Sequence, residues 1–184
     1  MPRGRKKSTE PKEEKSFSVC EEGNAIIKSL CEKYPKILWA CDPSSIQVYG
    51  VDNAERPASS DVMAKIRVVN GVLKAVLENN KINLTHIIEM YWSDWHEWPV
   101  NTRQFIIFHE LLHVIDPESK KLRRHNIEDF DLILDVIGIN GYGEGVPNLL
   151  GDEPVEFKSE LIAKLQKPDG ESVDEDNTPT PPEE

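Results

Sequence analysis

Cysteine is scarce in this chain, long apolar runs are missing, and basic charge is outnumbered; each shortage excludes something. The three cysteines, Cys20, Cys31 and Cys41, are widely spaced and form no Cys-x-x-Cys pair. Neither a disulfide framework nor a cysteine zinc site is therefore indicated, and reduced thiols in a cytoplasmic protein are expected. No apolar stretch approaches the roughly 20 residues of a membrane span. Met1-Pro2-Arg3-Gly4 leads into charge rather than a signal-peptide core. A soluble, non-secreted protein with no membrane partner is expected. Lys and Arg number 22 against 33 Asp and Glu, for a formal net charge of −11. By segment the charge is +3 over residues 1–15, −7 over 16–167 and −7 over 168–184. An acidic body argues against a broad nucleic-acid-binding face. The basic arm Arg3, Arg5, Lys6, Lys7 is the feature that suits phosphate, and such arms are commonly just solvated termini.

No internal repeat is visible. At 184 residues the chain suits one domain of about 150 residues with tails. Residues 1–16 read as a disordered basic arm, 17–167 as the folded domain and 168–184 as a disordered, Pro-rich acidic tail.

What is present is concentrated between Phe105 and His125. At the centre stands His109-Glu110-Leu111-Leu112-His113, an HExxH pentad inside an apolar run. Residues i and i+4 of a helix share one face, so His109 and His113 can bind one metal ion together. Glu110, one step round the helix, can reach a metal-bound water. Two imidazoles on zinc and a carboxylate as general base form the zinc-peptidase arrangement. Phe105-Ile106-Ile107-Phe108 precedes the pentad, and Leu111, Leu112, Val114 and Ile115 fill its gaps. A helix apolar nearly all round is buried, and burying two imidazoles and a carboxylate without partners is costly. A metal removes that cost and is the expected solution; the alternative is two core histidines satisfied by backbone carbonyls.

Around the pentad, the apolar spacing predicts a helix over about 20–34, ended by Pro35. Ile37–Ala40 and Ile46–Val51 read as strands, as do Ala64–Val69 and the run from Leu84 to Tyr91. Val72 to Leu77 fits either helix or strand. Ser93 to Trp98 reads as a Trp-rich connection before a motif helix over about 100–115. Further helices are expected over Glu128–Ile137, ended by Gly138, and over Val155–Leu165. Strands segregated before helices indicate an α+β fold.

Catalytic zinc usually takes three protein ligands and leaves one position for water. The third must return from downstream, where Asp116, Glu118, His125, Glu128, Asp129 and Asp131 are candidates. Asp116 is needed to end the helix before Pro117. His125 lies twelve residues after His113, enough chain to bring its imidazole back, and neutral imidazole suits zinc. His125 is the expected ligand, with Glu128 or Asp129 as the alternative. Either acid could instead orient a ligand histidine or complement a helix dipole. His86 and His96 lack motif spacing and read as structural. Trp92, Trp95 and Trp98 suit either a groove lining or a cover for the motif helix. Tyr142, in a glycine loop, is a weaker candidate oxyanion donor.

The pentad, a basic spacer, and then His125-Asn126-Ile127-Glu128-Asp129-Phe130 resemble the putative phage metallopeptidase family, whose pattern runs HExLH, spacer, H-D-x-x-D-F. The likeness covers roughly residues 60–138 and is similar, more distantly, to SprT-like and WLM-type zinc peptidases. Asn126 departs from the Asp common there. The resemblance implies a zincin-like core with a small mixed or antiparallel sheet packed on the HExxH helix, a phage or prophage origin, and hence the cytoplasm of a bacterial host. It implies no particular substrate. The expected activity is zinc-dependent hydrolysis of a protein or peptide, with one Zn2+ on His109, His113 and His125 and Glu110 as general base. The rival expectation is a non-catalytic module that binds protein or nucleic acid and uses a closed zinc site only to hold its fold.

Overall fold

The computed structural model describes residues 15–52, 63–114, 121–125, 130–138 and 145–166. They form strands β1 (Ser16–Val19), β2 (Ile46–Asp52), β3 (Ala64–Val68) and β4 (His86–Tyr91). The helices are α1 (Glu21–Lys33), α2 (Gly71–Asn79), α3 (Trp92–Glu97), α4 (Val100–Leu112), α5 (Asp131–Ile137) and α6 (Ser159–Leu165). This is the α+β fold the pattern predicts. The sheet is mixed, in the order β1-β2-β4-β3, with β2 and β4 parallel and both outer pairs antiparallel.

Alternation along the strands sets which face is buried. Register puts Ile46, His86 and Val68 in one row across β2, β4 and β3; Val48, Ile88 and Ile66 in the next; and Gly50, Met90 and Ala64 in the third. Against this sheet lie α1, through Ile26, Ile27 and Leu30, and α4, whose Phe105, Ile106, Ile107, Phe108, Leu111 and Leu112 are all buried. Each large apolar side chain so buried contributes about 1.5–3 kcal/mol. α4 is thus the central helix of the domain, apolar nearly all round as its sequence indicates.

The element ends have local causes. The Cys20 Sγ accepts the Gly23 N–H at 3.2 Å and caps α1. Burial pushes this thiol's pKa up, which suits an inert, reduced cysteine. Gly138, at φ +72°, ends α5.

Some expectations change. Ile37–Ala40 is a turn, because Pro35 ends α1 and the Ile37 and Leu38 amides both donate back to the Tyr34 carbonyl. Ile37, Leu38 and Ala40 are buried without joining the sheet while Trp39 stays exposed, an ambiguity inherent in short apolar runs. The undecided stretch after Asn70 is helical, although α2 contains no buried residue and leaves Val72 81% exposed. Trp92–Glu97 is a short helix, and β1 forms where only the start of structure was expected. The expected tails lie almost wholly outside the described residues. Among the described residues, no helix is long and apolar enough to cross a membrane.

Two features give testable outcomes. A methyl placed on Gly50 would meet the Trp92 ring at 2.0 Å, while the Trp92 Nε1–H donates to the Ser18 hydroxyl at 2.8 Å. Trp92 therefore reaches across β2 to β1 only because residue 50 has no side chain. Gly50→Ala should cost about 1–3 kcal/mol through overpacking, read as a lower thermal midpoint. His86 is 1% exposed; its Nδ1 meets the Thr85 hydroxyl, whereas its Nε2 has no partner among the described residues. Burial lowers the His86 pKa from its ordinary 6.5, so the unfolded chain takes up the proton first as pH falls. This contribution to stability is complete above pH 6.5 and is lost as pH drops toward the lower folded value. In His86→Leu the fall in urea midpoint between about pH 7 and about pH 5.5 should be shallower than in wild type.

Candidate metal centre

The start of α4 is tethered before its end can present a site. Pro99 stands at the N-cap, where its missing N–H costs nothing. Arg103 donates from Nη1 to both Glu22 carboxylate oxygens at 2.9 Å and from Nε to the Trp98 carbonyl at 3.0 Å. Its guanidinium lies over Trp95, whose Nε1–H also donates to Glu22. The Trp-rich segment therefore anchors α4 to α1.

Ten residues along the helix, the His109 and His113 rings stand 5.2 Å apart between centroids. α4 ends at Leu112 with His113 as its C-cap, earlier than the predicted residue 115. The chain then returns. Val114 bridges Leu122 in antiparallel fashion, and the Arg123 N–H donates to the His113 carbonyl at 2.7 Å. The His113 Nδ1 lies 2.6 Å from the Arg123 carbonyl. A carbonyl only accepts, so Nδ1 carries the proton and Nε2 keeps its lone pair for the opposite direction. Arg123 is itself buried, and its Nη2 donates to the Leu165 carbonyl at the end of α6.

This return brings in His125. Its Nε2 lies 3.0 Å from the His109 Nε2 and 3.1 Å from the His113 Nε2. Beneath them, Phe130 is fully buried and presents its ring to all three imidazoles at 4.9–5.4 Å, in edge-on geometry. Glu110 is 6% exposed, and its Oε2 accepts the Ile66 main-chain N–H of β3 at 2.8 Å.

The donor set fits a metal. Three imidazole nitrogens on a tetrahedral ion at about 2.0–2.1 Å would sit about 3.3 Å from one another, close to the separations found. A single Nε2–H on His125 can bridge to only one of its two neighbours, whereas a cation among the three nitrogens is ligated by all of them, and imidazole suits first-row ions such as zinc, copper, iron and nickel. Among the described residues, this is the cluster of His, Cys, Asp or Glu with metal-holding geometry.

The structure therefore brings together the three predicted histidines and keeps the others away. His86 is buried in the sheet and His96 stacks on Trp92. Asp131 pairs with Lys164 at 3.5 Å. Asp116, Glu118, Glu128, Asp129 and Tyr142 lie outside the described residues, so the carboxylate alternatives for the third ligand do too. The sequence reading missed the Arg123 carbonyl and the Ile66 amide, which are main-chain groups and leave no mark in residue type. Phe130 belongs to the motif, but nothing in its residue type or spacing assigns it a place beneath the imidazoles.

A family model described as putative phage metallopeptidase matches residues 14–153. The chain belongs to that family. No curated protein and no solved structure matches it. The family description implies a metal and a hydrolase, and the matched span includes β1–β4, α1–α5 and all three histidines. If the three imidazoles hold one metal ion, losing one of them should cost more than the roughly 10–100-fold typical of an orienting partner. His125→Ala should therefore weaken metal binding by more than about 100-fold in competition with a chelator, with the far-ultraviolet circular dichroism unchanged.

Proposed function

We propose that this protein is a zinc-dependent peptidase in which His109, His113 and His125 hold the metal and Glu110 is the general base. The supporting observation is the meeting of three Nε2 atoms within bonding range of one ion, beside a buried carboxylate. Bound there, zinc would supply a Lewis acid and a water acidic near neutral pH.

The remaining work belongs to the chain. The Arg123 carbonyl holds the His113 proton on Nδ1, which keeps Nε2 available as a ligand at neutral pH. Phe130 excludes water from beneath the imidazoles and limits their rotation. The Glu110 carboxylate takes a proton from the attacking water and passes it to the leaving nitrogen. Among the described residues β3 is the outermost strand of the sheet on this side, and its Ile66 amide meets Glu110. An extended peptide adding to that edge would be held by main-chain hydrogen bonds, which favours a protein or peptide substrate in an unfolded stretch.

Glu110→Gln keeps the size of the side chain and removes its basicity. It should lower the rate of hydrolysis of an unfolded protein substrate by about 100- to 10,000-fold while leaving metal affinity within a few-fold of wild type. Full activity in a metal-loaded Glu110→Gln variant would remove Glu110 from the mechanism.

A further inference from the structure

We infer that the Ile66 main-chain N–H is the positioning group for Glu110, so that the edge of the sheet holds the catalytic carboxylate. This rests on the peptidase reading above and goes beyond it by assigning a role to a backbone amide on β3. N–H groups along a strand alternate in direction. Val69 donates to the Thr85 carbonyl on the β4 side. Arg67 and Lys65 share that direction, so Ala64, Ile66 and Val68 aim their amides at the outer edge of the sheet. An outer-edge amide ordinarily meets solvent or another strand. The Ile66 amide instead meets Glu110 Oε2 at 2.8 Å, with that carboxylate 6% exposed.

The placement has a purpose that sequence spacing cannot supply. A glutamate side chain has three rotatable bonds, and a base that wanders between rotamers is poorly placed for proton transfer. α4 fixes only the Cβ direction of Glu110. A charge-assisted bond from a strand amide fixes the carboxylate itself. Ile66 is the right residue to do this because its side chain is buried against Ile88, at the outer end of the row Val48–Ile88–Ile66 that crosses the middle of the sheet. Its backbone cannot shift without disturbing the core. With Oε2 held by the amide, Oε1 is the oxygen that moves the proton.

Two measurements test this. The first is amide hydrogen exchange, which needs no substrate. In wild type the Ile66 amide should exchange at least about tenfold more slowly than those of Ala64 and Val68. In Glu110→Ala that protection should fall to their level. An Ile66 amide that exchanges as fast as its neighbours in wild type, or that keeps its protection in Glu110→Ala, overturns the proposal. The second compares Ile66→Pro with Ile66→Ala in the full-length, metal-loaded protein. Both variants lose core packing, but only Ile66→Pro loses the N–H, and proline is tolerated on an edge strand. Ile66→Pro should lower kcat at least about tenfold relative to Ile66→Ala, with KM and metal affinity alike in the two. Equal kcat values would overturn the proposal. If the wild type hydrolyses no peptide, the peptidase reading fails, and the exchange experiment still decides whether Ile66 holds Glu110.

Discussion

His113 and Arg123 exchange two hydrogen bonds, and the proposed metal centre depends on that exchange. One runs from the Arg123 amide to the His113 carbonyl, the other from the His113 ring to the Arg123 carbonyl. The first satisfies a carbonyl at the end of α4 that has no partner within the helix. The second fixes a ring tautomer. Together they turn the end of a helix into the start of an antiparallel bridge, and two residues later His125 stands over the first two imidazoles. A helix alone offers two histidines on one face; it cannot supply the third.

Contacts on two sides support this exchange. On one side α4 is buried along most of its length, so the helical spacing of His109 and His113 is held by core packing and by the Arg103–Glu22 tether. On the other, Arg123 reaches the end of α6 and Phe130 leads into α5. The imidazoles thus sit where the sheet-and-helix core meets the downstream helices. The sheet contributes at one point, the Ile66 amide at its outer edge. Metal ligands held by supporting hydrogen bonds and packing keep their geometry before the ion arrives, and such support commonly governs affinity.

The sequence revealed those parts that depend on residue type at fixed spacing. The pentad and its apolar surroundings showed a buried helix with two candidate ligands, and His125 stood out because imidazole is a distinctive donor at a reachable distance. Alternation in Ala64–Val69 and the apolar run into Tyr91 revealed β3 and β4. The parts that stayed hidden are set by backbone and by neighbours distant in sequence. Ile37–Ala40 has strand-like composition, but Pro35 and the Tyr34 carbonyl make it a turn. α2 is helical with no buried face to announce it. Trp92 packs over Gly50, a contact visible only once β2 and β4 are side by side. The Arg123 carbonyl and the Ile66 amide exist at every residue and are singled out by geometry alone.

The central claim is a three-histidine site that leaves a coordination position open, and zinc X-ray absorption on the purified full-length protein tests it most directly. The account predicts about one zinc per chain, with three imidazole nitrogens at about 2.0–2.1 Å and one further light-atom ligand that exchanges with an added anion or a hydroxamate. A shell closed by four protein ligands, inert to such additions, would contradict it and mark the metal as structural. So would sulfur in the shell, or a chain that binds no zinc.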